Sequence, residues 1–358
     1  MVPLNYMSQV HLLESRHLDD ERAIPALWSR SGLGSIFGAN DLTAIKLHVG
    51  EPGRDTHQRP FVAAALVDCV ASSGARPFLT DSAVLYRSPR DTGPGHARVA
   101  HDHGFGLERV GAPFVPADGL LGLDEVEIPL DGRHYGSIPV AAAIAQCNSA
   151  LLLSHVTGHL ATGLGAALKN LGMGCTSRKG KLSQHHGQQP GIDAERCTAC
   201  GTCADWCPAG AISIDRIASI DADSCIGCGE CIAVCREGAV VFDWRRRGRE
   251  LQERMVEHAA GVVRAMAGRI AYVSDATLVT ADCDCMAFSQ DPIVDDIGLL
   301  ASRDPVAIDA AALDLIEQSA GKSLENLSYP ERDAAVQLRY AERLGLGSTD
   351  YDLIRVEV

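Results

Sequence analysis

Eight of the chain's thirteen cysteines lie between Cys197 and Cys235, in two copies of one pattern. The first C-x-x-C-x-x-C-x-x-x-C run is Cys197, Cys200, Cys203 and Cys207; the second is Cys225, Cys228, Cys231 and Cys235. Three thiolates at spacing three wrap a loop around one face of an iron–sulfur cube, and the fourth cysteine of that run cannot reach the same cube. The spacing therefore predicts two [4Fe–4S] clusters with crossed ligation. One is held by Cys197, Cys200, Cys203 and Cys235, the other by Cys225, Cys228, Cys231 and Cys207. Zinc sites instead pair two C-x-x-C units across a longer gap.

The details around the runs agree. Gly201 and Gly229 fall where the backbone must curl close to the inorganic sulfides. Pro208 follows the first run as in bacterial ferredoxins, and Arg236 replaces it in the second. Residues 211–214 and 239–242 read as the short strands that follow each run. Between Pro190 and Asp243 there are nine acids and three arginines. Negative surroundings disfavour an added electron, so low cluster potentials are expected.

The remaining sequence reads differently. Before the block, strand-like and helix-like segments alternate: 41–50 a strand and turn, 60–74 a helix ending at Gly74, 75–86 a strand and loop, 124–130 a strand, 138–147 a buried helix, and 150–156 a buried strand. After it come an amphipathic helix from 248, with Leu251, Met255, Ala259, Val262 and Met266 on one face, and one or two strands in 270–285. A helix over 304–321 is marked by Asp304 at its N-cap, Pro305 at its first position and Gly321 at its end. A last helix and a closing strand, YDLIRVEV, follow. This rhythm predicts an α/β host with a mixed, largely parallel sheet, interrupted by an inserted bacterial-type ferredoxin domain. The expected bounds are 1–189 and 243–358 for the host and 190–242 for the insert. Residues 172–190, polar and glycine-rich, read as the boundary between them.

Net charge is −14, which argues against nucleic acid, since phosphate binding needs a basic face. No apolar run reaches membrane-spanning length, and the first residues lack a basic patch ahead of an apolar stretch. The expectation is a cytoplasmic protein, in which clustered cysteines read as metal ligands rather than disulfides.

Five cysteines stand outside the runs. Cys69 and Cys147 lie in apolar segments and read as core. Cys283 and Cys285 alternate with acids in Asp282-Cys-Asp-Cys; extended, both thiols point to one side, which suits metal or redox chemistry. His155 and His159 flank a loop at the carboxyl end of a strand, where α/β proteins place their sites. Cys175, Lys179, Lys181, His185 and His186 occupy the boundary segment and either line a cleft or are solvated, the latter being the better reading for the lysines. Two nucleotide motifs fail: Gly163-Leu-Gly165-Ala-Ala-Leu168 lacks the third glycine, and Gly174 to Leu182 has the wrong spacing for a phosphate loop.

The segments AIKLHVGEPG, PFLTDSAVLY, ADGLLG, SHVTGHLATGLGAALKNLGMGCTSRKGK, CDCMAFSQDPIVDDIGLLASRDPVAIDAAALDLI and ERDAAVQLRYAERLGLG together resemble the domain-of-unknown-function 362 family, in its iron–sulfur form. The resemblance spans nearly the whole chain in order. It implies an α/β domain interrupted by a two-cluster ferredoxin module, and it marks HVTGH, GMGC and DCDC as family-typical. The functional expectation is an electron-transfer protein that passes electrons to or from a redox partner protein. The alternative is an iron–sulfur-dependent reductase, or a metal- or cofactor-handling enzyme, with a second site near His155, His159, Cys175, Cys283 and Cys285.

Overall fold

A seven-residue strand, Ser149–His155, is buried along its whole length and lies inside the main sheet. In the computed structural model, which describes residues 7–185, 190–225, 227, 229–241 and 249–358, eight strands form this sheet. They are β1 (Ser8–Glu14), β2 (Leu42–Lys46), β3 (Arg76–Asp81), β4 (Phe114–Pro116), β5 (Ser149–His155), β6 (Ile270–Ala276), β7 (Gly298–Ser302) and β8 (Tyr351–Arg355). Their spatial order is β8-β1-β7-β6-β5-β2-β3-β4. Only β7 runs against its neighbours β1 and β6; every other pairing is parallel. The mixed, largely parallel α/β class expected from the sequence is therefore the one observed.

Side chains of successive strand residues point to opposite faces, and the two faces are apolar. Leu152 and Tyr272 pack on one side with Ala44 and Leu300; Leu151, Leu153, Ile45 and Leu79 pack on the other. Each fully buried leucine contributes about 1.5–3 kcal/mol. Five of the principal covering helices are α1 (Ala23–Ser31), α2 (Pro60–Ser72), α3 (Ala167–Gly172), α5 (Arg249–Ala265) and α6 (Pro305–Ala320), with a short α4 (Arg178–Gln184) between α3 and α5. α1 and α2 cover one face, and α3, α5 and α6 the other. Helix α6 begins and ends as its sequence predicts: the Asp304 carboxylate accepts N–H bonds from Val306 and Ala307, and Gly321 closes it at φ 68°.

Two local expectations need correction. Residues 138–147 are not one helix. Ser137–Ala141 is a strand antiparallel to Glu125–Pro129, and only Ala142–Gln146 is helical. Ile138 precedes Pro139, which drives it to extended backbone. Nor is Lys181 solvated. It lies in α4, whose Ser177 cap accepts an N–H bond from Gly180 and which buries both Arg178 and Lys181. Among the described residues no helix is long and apolar enough to cross a membrane.

The described residues of 190–241 add no strand to the main sheet and form two two-stranded sheets and two short helices around their own core. The described residues of the two cysteine runs share a pattern of backbone conformation. Ala199 and Gly227, Gly201 and Gly229, and Gly210 and Gly238 occupy equivalent offsets, and all six have positive φ. Short helices Thr202–Asp205 and Glu230–Val234 start after Gly201 and Gly229.

Candidate functional site

The chain's strand order changes direction between β2 and β5: β2 leads outward to β3 and β4, and β5 returns to the inner side of β2. Ligands of open α/β sheets bind outside the carboxyl ends of the strands at such a switch point. Here a cavity of about 460 Å³ opens at that place. The last residues of β2, β3 and β5 furnish Lys46, Asp81, Ser154 and His155 to its wall.

The charges beneath the cavity are built into a network. Lys46 Nζ lies 2.9 Å from Asp81 Oδ1, with both side chains buried. Arg90, itself fully buried, donates to Glu51 at 2.5 Å, meets Asp81 at 3.4 Å and lies 3.1 Å from His48 Nε2. Burial alone would raise the Asp81 carboxyl, but the Lys46 charge and the neighbouring histidines hold it well below the ordinary range. Two further cations reach the wall. Lys169 Nζ stands 3.9 Å from Cys283 Sγ, and burial lowers its ammonium to about 8. Lys181 donates to Ser82 Oγ and to the Thr176 carbonyl, and burial lowers it to about 8 as well. Neither lysine has a carboxylate within ion-pair distance among the described residues. The rest of the wall is largely apolar, including Val84, Leu85, Leu153, Leu160 and Met286.

Cys283 and Cys285 reach the same cavity on the loop after β6. They sit in a turn rather than at an extended strand end, yet both sulfurs point the same way and are joined as a disulfide. The loop is firmly held. Arg54 donates to Thr280 Oγ1 and to the Asp282 carbonyl, Gln290 and Tyr329 donate to the Asp282 carboxylate, and Glu51 N–H donates to the Asp284 carbonyl. Gly158, in the middle of HVTGH, is required by this packing: a Cβ there would lie 2.2 Å from the Ala281 carbonyl oxygen. One ring nitrogen of His159 and the two sulfurs all lie within 4.8 Å of one another, a group able to hold a metal ion once the bridge is reduced to thiolates.

His155 is also at the wall but is not available as a ligand. Its Nδ1 meets the Asp284 carboxylate at 2.9 Å and its Nε2 lies 2.8 Å from the Thr277 carbonyl. Both nitrogens must donate, so the ring is an imidazolium. Burial opposes that charge, but Asp284 outweighs it and raises His155 to about 9. His155 thus anchors the DCDC loop. Cys175 does not line the cavity. It lies in the core with its thiol directed at the Asn170 carbonyl, and burial pushes it up to about 12. Lys179 is partly exposed and pairs with Glu125 and Glu127. His185 lines the cavity, lowered to about 4 by burial. His186 lies outside the described residues. Cys69 and Cys147 are core, as expected.

In the cysteine block, a second, partly open hollow has Cys197, Cys200, Cys203 and Cys235 in its lining. Cys207 is absent from that lining. Backbone N–H groups point at the sulfurs: Ala211 to Cys207, Ala239 to Cys235 and Ala218 to Cys197, each at 3.3 Å. Cys231 is buried, Cys225 is half-buried, and Cys228 lies outside the described residues. The block touches the host beside the cavity. A Cβ on Gly229 would lie 3.2 Å from Leu182 of α4, the helix whose Lys181 lines the cavity.

Sequence reading found the cysteines and HVTGH but missed Lys46, Asp81, Arg90 and Lys169. Lys46 and Asp81 were legible in principle, as charges that end the apolar strands TAIK and PFLTD. Nothing local marks Arg90 or Lys169.

A profile of the family described as "Domain of unknown function (DUF362)" matches residues 43–314. No curated protein matches in sequence. Among solved structures, the chain is similar to a lactate racemase apoprotein from Thermoanaerobacterium thermosaccharolyticum. The TM-score is 0.35 and the identity 11 %, over 75 % of this chain and 51 % of that one. The chain thus spans about half the length of that protein.

Proposed function

This chain belongs to the domain-of-unknown-function 362 family, and we propose that within it the chain is an iron–sulfur electron-transfer protein carrying two [4Fe–4S] clusters. Cys197, Cys200, Cys203 and Cys235 would hold one cluster, and Cys225, Cys228, Cys231 and Cys207 the other, in an inserted domain over 190–242. The observation that carries this reading is the set of four cysteines lining one hollow, in which the fourth member comes from the other run. The residues fit such a group. Thiolates that receive backbone N–H bonds are the environment that iron–sulfur sites use to set their potential, and the repeated positive-φ positions hold the loops in the needed curl. When bound, the clusters supply one-electron transfer. The natural counterpart is a redox partner protein in the cytoplasm, docking against a chain of net charge −14.

A specific contact favours the further reading that electrons are used within the chain, as in a reductase. Helix α4 packs on the second cysteine run through Leu182 and faces the cavity through Lys181. A cavity with His159, Cys283 and Cys285 beside such a helix is more than a docking platform needs.

Iron and sulfide analysis of anaerobically purified protein tests the cluster reading. About eight of each per chain are expected. Under crossed ligation, Cys203→Ala and Cys235→Ala each remove about four irons, and the double variant removes no more than either alone. Four or fewer irons in fully loaded wild type overturns the two-cluster reading; additive losses in the double variant overturn the crossing.

A further inference from the structure

The Cys283–Cys285 bridge has no evident structural task. Residues two apart close a loop so short that the bond restrains almost none of the unfolded chain. The loop is already fastened by Arg54, Gln290, Tyr329 and the His155–Asp284 ion pair. What surrounds the pair is chemistry. Both sulfurs lie on the wall of the 460 Å³ cavity, Cys283 buried and Cys285 half-buried. The Lys169 Nζ–H faces the buried sulfur at 3.9 Å. Lys169 and Lys181 bring positive charge to a cavity of a size that takes a small organic molecule.

We propose that Cys283 and Cys285 are a redox-active dithiol–disulfide pair, acting on a small anionic dithiol or disulfide that enters the cavity. This goes beyond electron transfer by the cysteine block and does not require it. The exchange balances without any other reactant. A thiolate of the incoming dithiol attacks Sγ of Cys285, the more exposed sulfur. The Cys283–Cys285 bond breaks, a bond forms between Cys285 and the incoming sulfur, and the electron pair leaves on Cys283. Lys169 stabilises that leaving thiolate, which is what speeds such a step. The second thiol of the incoming molecule, as its thiolate, then attacks its own sulfur bonded to Cys285. Cys285 is released and the incoming molecule departs as a cyclic disulfide. Two electrons have passed to the pair, and the two protons given up by the dithiol end on Cys283 and Cys285. A disulfide substrate runs the same steps in reverse, with Cys285 attacking and Cys283 resolving.

The test uses the holoprotein under argon, equilibrated in mixtures of reduced and oxidised dithiothreitol. Thiols are trapped with iodoacetamide, and the peptide holding both cysteines is weighed. The two cysteines should pass together from doubly alkylated to bridged. A peptide alkylated on both throughout the series overturns the proposal. So does a stoichiometric metal ion that shields both thiols until a chelator removes it. Iron is measured in the same samples, so a failure of the cluster reading is a separate result. Lys169→Met should slow reduction by dithiothreitol about tenfold and Lys169→Arg much less; equal rates in all three proteins remove Lys169 from the step. For the substrate class, anionic dithiobis-nitrobenzoate should oxidise the reduced pair about tenfold faster, relative to neutral dithiodipyridine, than it oxidises free cysteine. No such preference overturns an anionic ligand.

Discussion

The cysteine block and the α/β host solve the same problem with opposite means. The host buries two apolar faces of an eight-stranded sheet and can hide charge inside where that charge is paired, as Arg90 is with Glu51 and Asp81. Among the described residues the block buries eight apolar side chains, Cys203, Ala211, Ile212, Ala218, Cys231, Val234, Ala239 and Val240, two of them cysteines. A core that small cannot offset the conformational entropy of about fifty residues. In the host, function can be added to a fold that stands alone. Under the two-cluster proposal the block's fold and its metal would be one thing, since ligand binding would supply the folding free energy.

The largest effect that follows is therefore regional. Stripping iron with a chelator under reducing conditions should unfold residues 190–241 and leave the host folded. Hydrogen exchange read by peptide mass should then rise to the unprotected limit across the block, while peptides from β5 and β6 keep their protection. Retained protection at Cys203 and Val240 in iron-free protein would break the comparison, because it would mean that the block's apolar contacts suffice.

The same contrast explains what could be read from the sequence. The block's constraints are local: cysteine spacing and glycines at fixed offsets, all within a few residues of the atoms they serve. The host's sheet was legible for the same reason, from apolar runs such as ALLLSH and caps such as Asp304 and Gly321. The N-terminal strand β1 was not, since SQVHLLE alternates poorly and gains its place only by pairing with β7 and β8. The cavity was legible only in part. His159, Cys283 and Cys285 sit on the two loops that the sequence singled out. Lys46, Asp81, Arg90 and Lys169 come from four separate segments, and only the strand order at the β2–β5 switch point makes them neighbours. Lys181 was read as a solvated linker residue because its segment is polar; burial beside Ser82 and Thr176 overrode that composition.

Buried charge in the host gives a second, smaller effect. Asp309 on α6 accepts N–H bonds from Ala167 and Leu168 at the start of α3, and burial raises its carboxyl to about 7. The folded state thus holds this proton more tightly than the unfolded chain does. Its contribution to stability is full below the ordinary aspartate value and is lost as pH rises through about 7. Asp309→Asn cannot ionise and should flatten that loss. The difference between the wild-type and variant unfolding free energies, measured in urea, should change by a few kcal/mol between pH 4 and pH 8, with the wild type losing ground at high pH. A parallel pair of curves would mean that Asp309 ionises in the fold at no cost. The block, whose acids are mostly exposed, should show no counterpart.

The smallest effect lies where the two regions meet. Helix α4 has only seven residues, too few to be stable alone, and it is held at its start by Ser177, which accepts the Gly180 N–H at 3.2 Å and donates to Glu125. Losing such a cap costs about 1 kcal/mol. Ser177→Ala should therefore lower host stability by about that amount and raise exchange at Gly180 and Lys181, and Ser177→Asp should restore much of the cap, less whatever its charge loses beside Glu125. The informative reading is at Gly229, whose backbone rests against Leu182. If its exchange rises together with that of α4, the block borrows order from the host, and the contrast drawn above softens at this edge. If Gly229 is unmoved while α4 frays, the metal alone sets the shape of the second run, and α4 belongs entirely to the cavity.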